Sequence, residues 1–153
     1  MVKSLEESNA TFIRQLYREL FHDWILESID KSFAPEFRSS EMPPGTPSGP
    51  TGVRKFYGVI RAAFPDLTYT VEDLIAQGDK VVVRWCWNAT HQGTFRSIPP
   101  TGKKINLTGI AIYKVAAGKA VQRWVEGDVL GLLRALGAEI VIPGAQTMGR
   151  SGG

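Results

Sequence analysis

The sequence predicts an α+β fold, with helices first, a mainly antiparallel sheet after them and a short helix at the end. Three observations predict it. Apolar residues recur at helical spacing before Pro65 and alternate after it. Two short Gly-containing segments then join the later strands into hairpins.

Ser4 with Glu7 makes a capping box. Phe12, Ile13, Leu16, Tyr17 and Leu20 follow at helical spacing and predict a first helix to about Phe21. A second helix is expected from Trp24 to Lys31, with Trp24, Ile25 and Ile29 inward. Phe33 to Phe37 reads as a short edge strand, because Pro35 cannot donate to a central ladder. Pro43 to Pro50 is a loop, too rich in Pro and Gly for helix or central strand.

A third helix runs from Thr51 or Gly52 to about Phe64, with Val53, Phe56, Tyr57 and Ile60 on one face. Pro65 stops it. Leu67 to Ala76 and Lys80 to His91 flank the turn Gln77-Gly78-Asp79. Lys104 to Val115 and Ala120 to Glu126 flank Ala116-Ala117-Gly118-Lys119. Val129, Leu130, Leu132, Leu133 and Leu136 then return to helical spacing before Gly137. Residues 1–143 read as one domain, and the small polar tail 144–153 as disordered.

The 153 residues are 43% hydrophobic and 22% charged, so one core can form without metals or disulfides. Cys86, the only cysteine, lies in a strand-like run and reads as a small buried residue. The net charge is +3 with scattered basic residues, and nothing recommends nucleic-acid binding. No apolar run suggests a membrane span, and the first residues carry no signal-peptide pattern; a cytoplasmic location is expected. Two histidines, His22 and His91, cannot build a His-rich metal site, so no metal is expected.

Strand parity sorts the side chains that could carry chemistry. Val81, Val83, Trp85, Trp87, Ala89 and His91 share one face, which is the more apolar and is assigned to the concave side. His91 then ends an aromatic wall, either as a group that exchanges protons at neutral pH or as a hydrogen-bonded strand end. Asp128 stands at the junction of the last strand and the last helix. Held against apolar neighbours it would have a raised pKa suited to proton transfer. It is equally a good N-cap, and both readings stay open. Trp24, Phe56, Trp85, Trp87 and Trp124 suffice to line a pocket for a flat apolar ligand, and they would equally serve a small core.

Five segments in order resemble the SnoaL-like polyketide cyclases, from about Leu5 to Gly137. They are Gly52-Val53-Arg54-Lys55-Phe56-Tyr57, Arg61-Ala62-Ala63-Phe64-Pro65-Asp66-Leu67, Thr90-His91-Gln92-Gly93-Thr94-Phe95, Ile98-Pro99-Pro100-Thr101-Gly102 and Asp128-Val129-Leu130-Gly131-Leu132-Leu133. The resemblance implies a cone-shaped fold like that of nuclear transport factor two. It also implies a cofactor-free acid/base enzyme acting on an apolar carbonyl compound, with Asp128 matching the family's general acid/base. The alternative on the same pocket is a non-catalytic small-molecule binding protein. Tyr17 becomes a candidate pocket hydroxyl beside its reading as core. A homodimer is implied too, over the strand face that carries Val82, Cys86, Ile110 and Ile112. Two departures stand out: Arg123 and Ser39-Ser40 occupy places where relatives often have histidine.

Overall fold

The computed structural model describes residues 2–144. The expectation of a disordered tail over 144–153 therefore lies, but for Gly144, outside the described residues. Helix α1 (Leu5–Leu16) begins as expected. Ser4 Oγ accepts the Glu7 amide at 3.2 Å and Glu7 Oε2 accepts the Ser4 amide at 3.0 Å, so both halves of the capping box form. The helix does not continue as α-helix to Phe21. Tyr17–His22 is a π-helical turn, which keeps Tyr17, Leu20 and Phe21 all buried.

The second helix is shorter than expected. Helix α2 covers Ser28–Ser32 only. Trp24 has a φ of +55°, a left-handed conformation that cannot start a right-handed helix. Ile29 is buried as expected, whereas Ile25 is exposed. Strand β1 (Phe33–Ser39) and helix α3 (Gly49–Ala63) follow, and Pro50 in the first turn lets α3 start slightly before Thr51.

The four longer strands are β2 (Thr68–Gln77), β3 (Lys80–Thr90), β4 (Lys104–Ala116) and β5 (Lys119–Gly127), and helix α4 (Val129–Ala135) closes the fold. Two-residue turns join each hairpin, with Gln77 paired to Lys80 and Ala116 to Lys119. Ala117 and Gly118 have φ of +49° and +73°, the mirror-image turn that matches strand twist. One five-stranded sheet results, in the order β1-β5-β4-β3-β2. All its pairings are antiparallel except β1 with β5. Pro35 sits in the edge strand, as expected, and the β1 register shifts between Phe33 and Arg38.

The sheet is curved and unclosed. The parity of β3 holds: Val81, Val83, Trp85, Trp87, Ala89 and His91 are all buried under the helices. The convex face carries a transverse apolar row, since Ile75 pairs with Val82, Val82 with Ile112 and Ile112 with Trp124. Three of these four are exposed, Ile75 at 65%, Trp124 at 38% and Ile112 at 36%. Among the described residues no helix is long and apolar enough to cross a membrane.

Candidate functional site

A cavity of about 420 Å³ opens between the concave sheet face, α3 and α4. Alternation along the strands supplies its back wall: Trp85 and Trp87 from β3, Leu107 from β4, Val125 from β5. Phe56 and Ile60 line it from α3, and Leu132 from α4. Space for the Trp85 indole comes from Gly109, its partner on β4. A Cβ at Gly109 would lie 2.3 Å from the indole ring, so only glycine fits. The indole nitrogens of Trp85 and Trp87 are buried and have no hydrogen-bond partner among the described residues.

Among the described residues one carboxylate lines this cavity, that of Glu41, in the turn after β1. It is held from behind by Arg123, which is 1% exposed. Arg123 Nη1 donates both to Glu41 Oε1 and to the Tyr57 hydroxyl, the latter at 2.6 Å. Tyr57 in turn donates to Glu41 Oε1 at 3.4 Å, and Ser39 Oγ reaches the same oxygen at 3.4 Å. Burial works against the Arg123 charge, yet the ion pair with the Glu41 carboxylate opposes it, and the Arg123 pKa stays well above the usual arginine value. Burial pushes the Tyr57 hydroxyl well above the ordinary phenol range, against the pull of Arg123. Tyr57 therefore keeps its proton at neutral pH and serves as a donor that orients Glu41.

The two sequence departures meet here. The Ser40 amide donates to the Arg123 carbonyl at 3.0 Å, and Ser40 Oγ accepts the Val125 amide at 2.9 Å. The end of β1 is thus zipped to β5 beside the Glu41–Arg123 pair.

Of the residues singled out in the sequence, Phe56, Trp85 and Trp87 line the cavity. The others lie elsewhere. Trp124 points to the convex face, because strand alternation turns Arg123 and Val125 inward on either side of it. Trp24 packs outside, its indole donating to the Leu67 carbonyl at 3.3 Å beneath the Arg61 guanidinium, 4.0 Å from the ring centre. Tyr17 is buried, with the Tyr113 hydroxyl donating to its oxygen at 3.3 Å, and burial raises its pKa. It borders a separate, open cleft with Arg14, Arg18 and His22.

His91 is fully buried beside Phe64, with ring centres 5.5 Å apart, and does not line the cavity. Its Nδ1 accepts the Thr101 amide at 3.2 Å. That acceptor role puts the ring proton on Nε2. The side chain closes the base of the loop from His91 to Gly102, whose amide donates to the His91 carbonyl at 2.9 Å.

Asp128 is exposed and caps α4, its Oδ1 accepting the Gly131 amide at 2.9 Å. The apolar enclosure expected around it is absent, although Gly127 and Val129 on either side both line the cavity. A Cβ at Gly131 would come within 2.2 Å of the Asp128 carboxylate, so glycine there makes room for the cap. Asp128→Asn is expected to leave stability nearly unchanged and Asp128→Ala to cost about 1 kcal/mol, read from denaturant unfolding.

A family model described as SnoaL-like polyketide cyclase matches residues 11–136. Among solved structures, TsrD from Streptomyces laurentii superposes with a TM-score of 0.80 at 27% identity, over 89% of this chain and 100% of that one. IdmH from Streptomyces antibioticus, described as a candidate polyketide cyclase, gives 0.72 at 32% identity, over 85% of this chain and 99% of that one. AclR from Streptomyces galilaeus, described as a candidate hydroxylase, gives 0.75 at 25% identity, over 91% and 87%. None of the curated proteins matches the chain significantly.

Proposed function

The chain belongs to the SnoaL-like polyketide cyclase family, and from that premise we propose that it is a cofactor-free acid/base enzyme acting on an apolar, carbonyl-containing small molecule. The observation that carries this reading is one carboxylate among the described residues, Glu41, on the wall of an otherwise mostly apolar cavity, fixed by a buried guanidinium. Glu41 takes a proton from the carbon next to the substrate carbonyl. The electron pair moves onto the carbonyl oxygen, and the resulting enolate carbon attacks a second carbonyl of the same molecule. Glu41 then returns its proton to the new alkoxide, so the step is an isomerisation that needs no co-reactant.

The experiment needs no knowledge of the natural substrate. Exchange of the α-protons of 2-tetralone in D2O, followed by NMR, is expected to run faster with the protein than in buffer. Exchange no faster than in buffer sinks the acid/base reading. A second reading, sequestration of an apolar molecule without turnover, is favoured by one observation: Asp128, at the place of the family's acid, is occupied as a helix cap. Tetralone that binds but does not exchange selects it.

A homodimer over the convex sheet face is also proposed. The exposed row of Ile75, Ile112 and Trp124, with Ile110 beside it at 48%, is an apolar surface that water does not favour. Light scattering is expected to give twice the chain mass at micromolar concentration, and Trp124→Glu to shift it to the monomer. A wild-type monomer across that range contradicts the proposal.

A further inference from the structure

The charges at the cavity mouth are unbalanced. Glu41 is the lining carboxylate, and its charge is matched by Arg123. Lys55 from α3 and Arg96 from the loop after β3 also line the cavity, are exposed, and have no carboxylate partner among the described residues. The nearby Asp128 carboxylate is turned onto the α4 amide. The cavity therefore combines an apolar interior with two free cations at its rim.

Arg96 is not placed there by a relaxed loop. Phe95 and Ile98 exchange both backbone hydrogen bonds, at 3.0 and 2.8 Å, around a two-residue turn. Its two central residues, Arg96 and Ser97, have φ of +47° and +66°. That turn suits Asn-Gly, and a long cationic side chain enters it at a steric cost. The Arg96 guanidinium lies 5.6 Å from the centre of the Phe95 ring, which itself lines the cavity.

We infer that the ligand of this cavity is anionic: an apolar ring compound that carries a carboxylate at its trailing end, with the rings between Trp85, Trp87 and Phe56 and the carboxylate between Lys55 and Arg96. The inference rests on the proposed pocket and narrows its substrate class. A neutral ester or ketone fills the apolar interior but leaves both cations unused. An amine of the same shape is repelled.

Calorimetric titration of the full chain with 2-naphthoate and with methyl 2-naphthoate tests this. The acid is expected to bind about tenfold tighter than the ester at low ionic strength, the size expected of two exposed ion pairs. The gap shrinks on raising the salt to about 0.5 M, where the screening length falls to a few ångströms. The pair Lys55→Gln with Arg96→Gln is expected to close the gap, and Lys55→Arg with Arg96→Lys to preserve it, with unfolding curves confirming that both fold. Equal affinity of wild type for acid and ester, or a gap unchanged by the glutamine pair, overturns the inference and leaves the pocket standing. Binding of neither probe removes the pocket and the inference together.

Discussion

Glu41→Gln is expected to slow α-proton exchange in 2-tetralone by roughly 10²- to 10⁴-fold, the range for loss of a positioned general base. The amide has nearly the shape of the carboxylate but cannot accept the carbon-bound proton. Half-saturation should change little, because the apolar wall of Trp85, Trp87 and Leu107 is untouched. A rate that falls only through weaker binding would assign Glu41 to the wall and not to the chemistry. Glu41→Asp provides a second check. It retains the acid but draws it back by one methylene, and a residual rate between those of wild type and Glu41→Gln is expected.

Arg123→Met is expected to lower stability by about 3 kcal/mol, at the low end of the range for breaking a buried ion pair. Two effects set the size. Losing the guanidinium leaves Glu41, whose side chain is 25% exposed, without its counter-charge. Against this, Arg123 Nε and Nη2 have no partner among the described residues, and their burial cost disappears with the side chain. The double variant Arg123→Met with Glu41→Gln should recover part of the loss, because no charge is then left unpaired. Denaturant unfolding measures both. A double variant less stable than Arg123→Met alone would show that Glu41 is held chiefly by Tyr57 and Ser39 instead.

Much of the fold was legible because it rests on local rules. The alternation of β3 placed Trp85 and Trp87 inside, and the capping box set the start of α1. The same alternation was the right guide to β5, where hydrophobicity misled: Trp124 faces out and Arg123 faces in. An inward arginine is legible only if its partner is known, and Glu41 lies 82 residues away in a turn with no periodicity to flag it. At Asp128 two local forces competed. The apolar neighbours argued for a pocket, but a hydrogen bond three residues ahead needs no tertiary partner and prevailed. The left-handed Trp24 and the π-helical turn had no signal in residue spacing, since neither follows from helix propensity.

The proton-handling group is proposed to be Glu41 and not Asp128, and one comparison separates the two. Exchange of 2-tetralone α-protons, measured side by side for Glu41→Gln and Asp128→Asn at equal concentration and saturating ketone, reads each acid directly. Loss in Glu41→Gln with Asp128→Asn near the wild-type rate is the expected result. Loss in Asp128→Asn with Glu41→Gln near wild type contradicts it, and returns the chemistry to the acid at the head of α4.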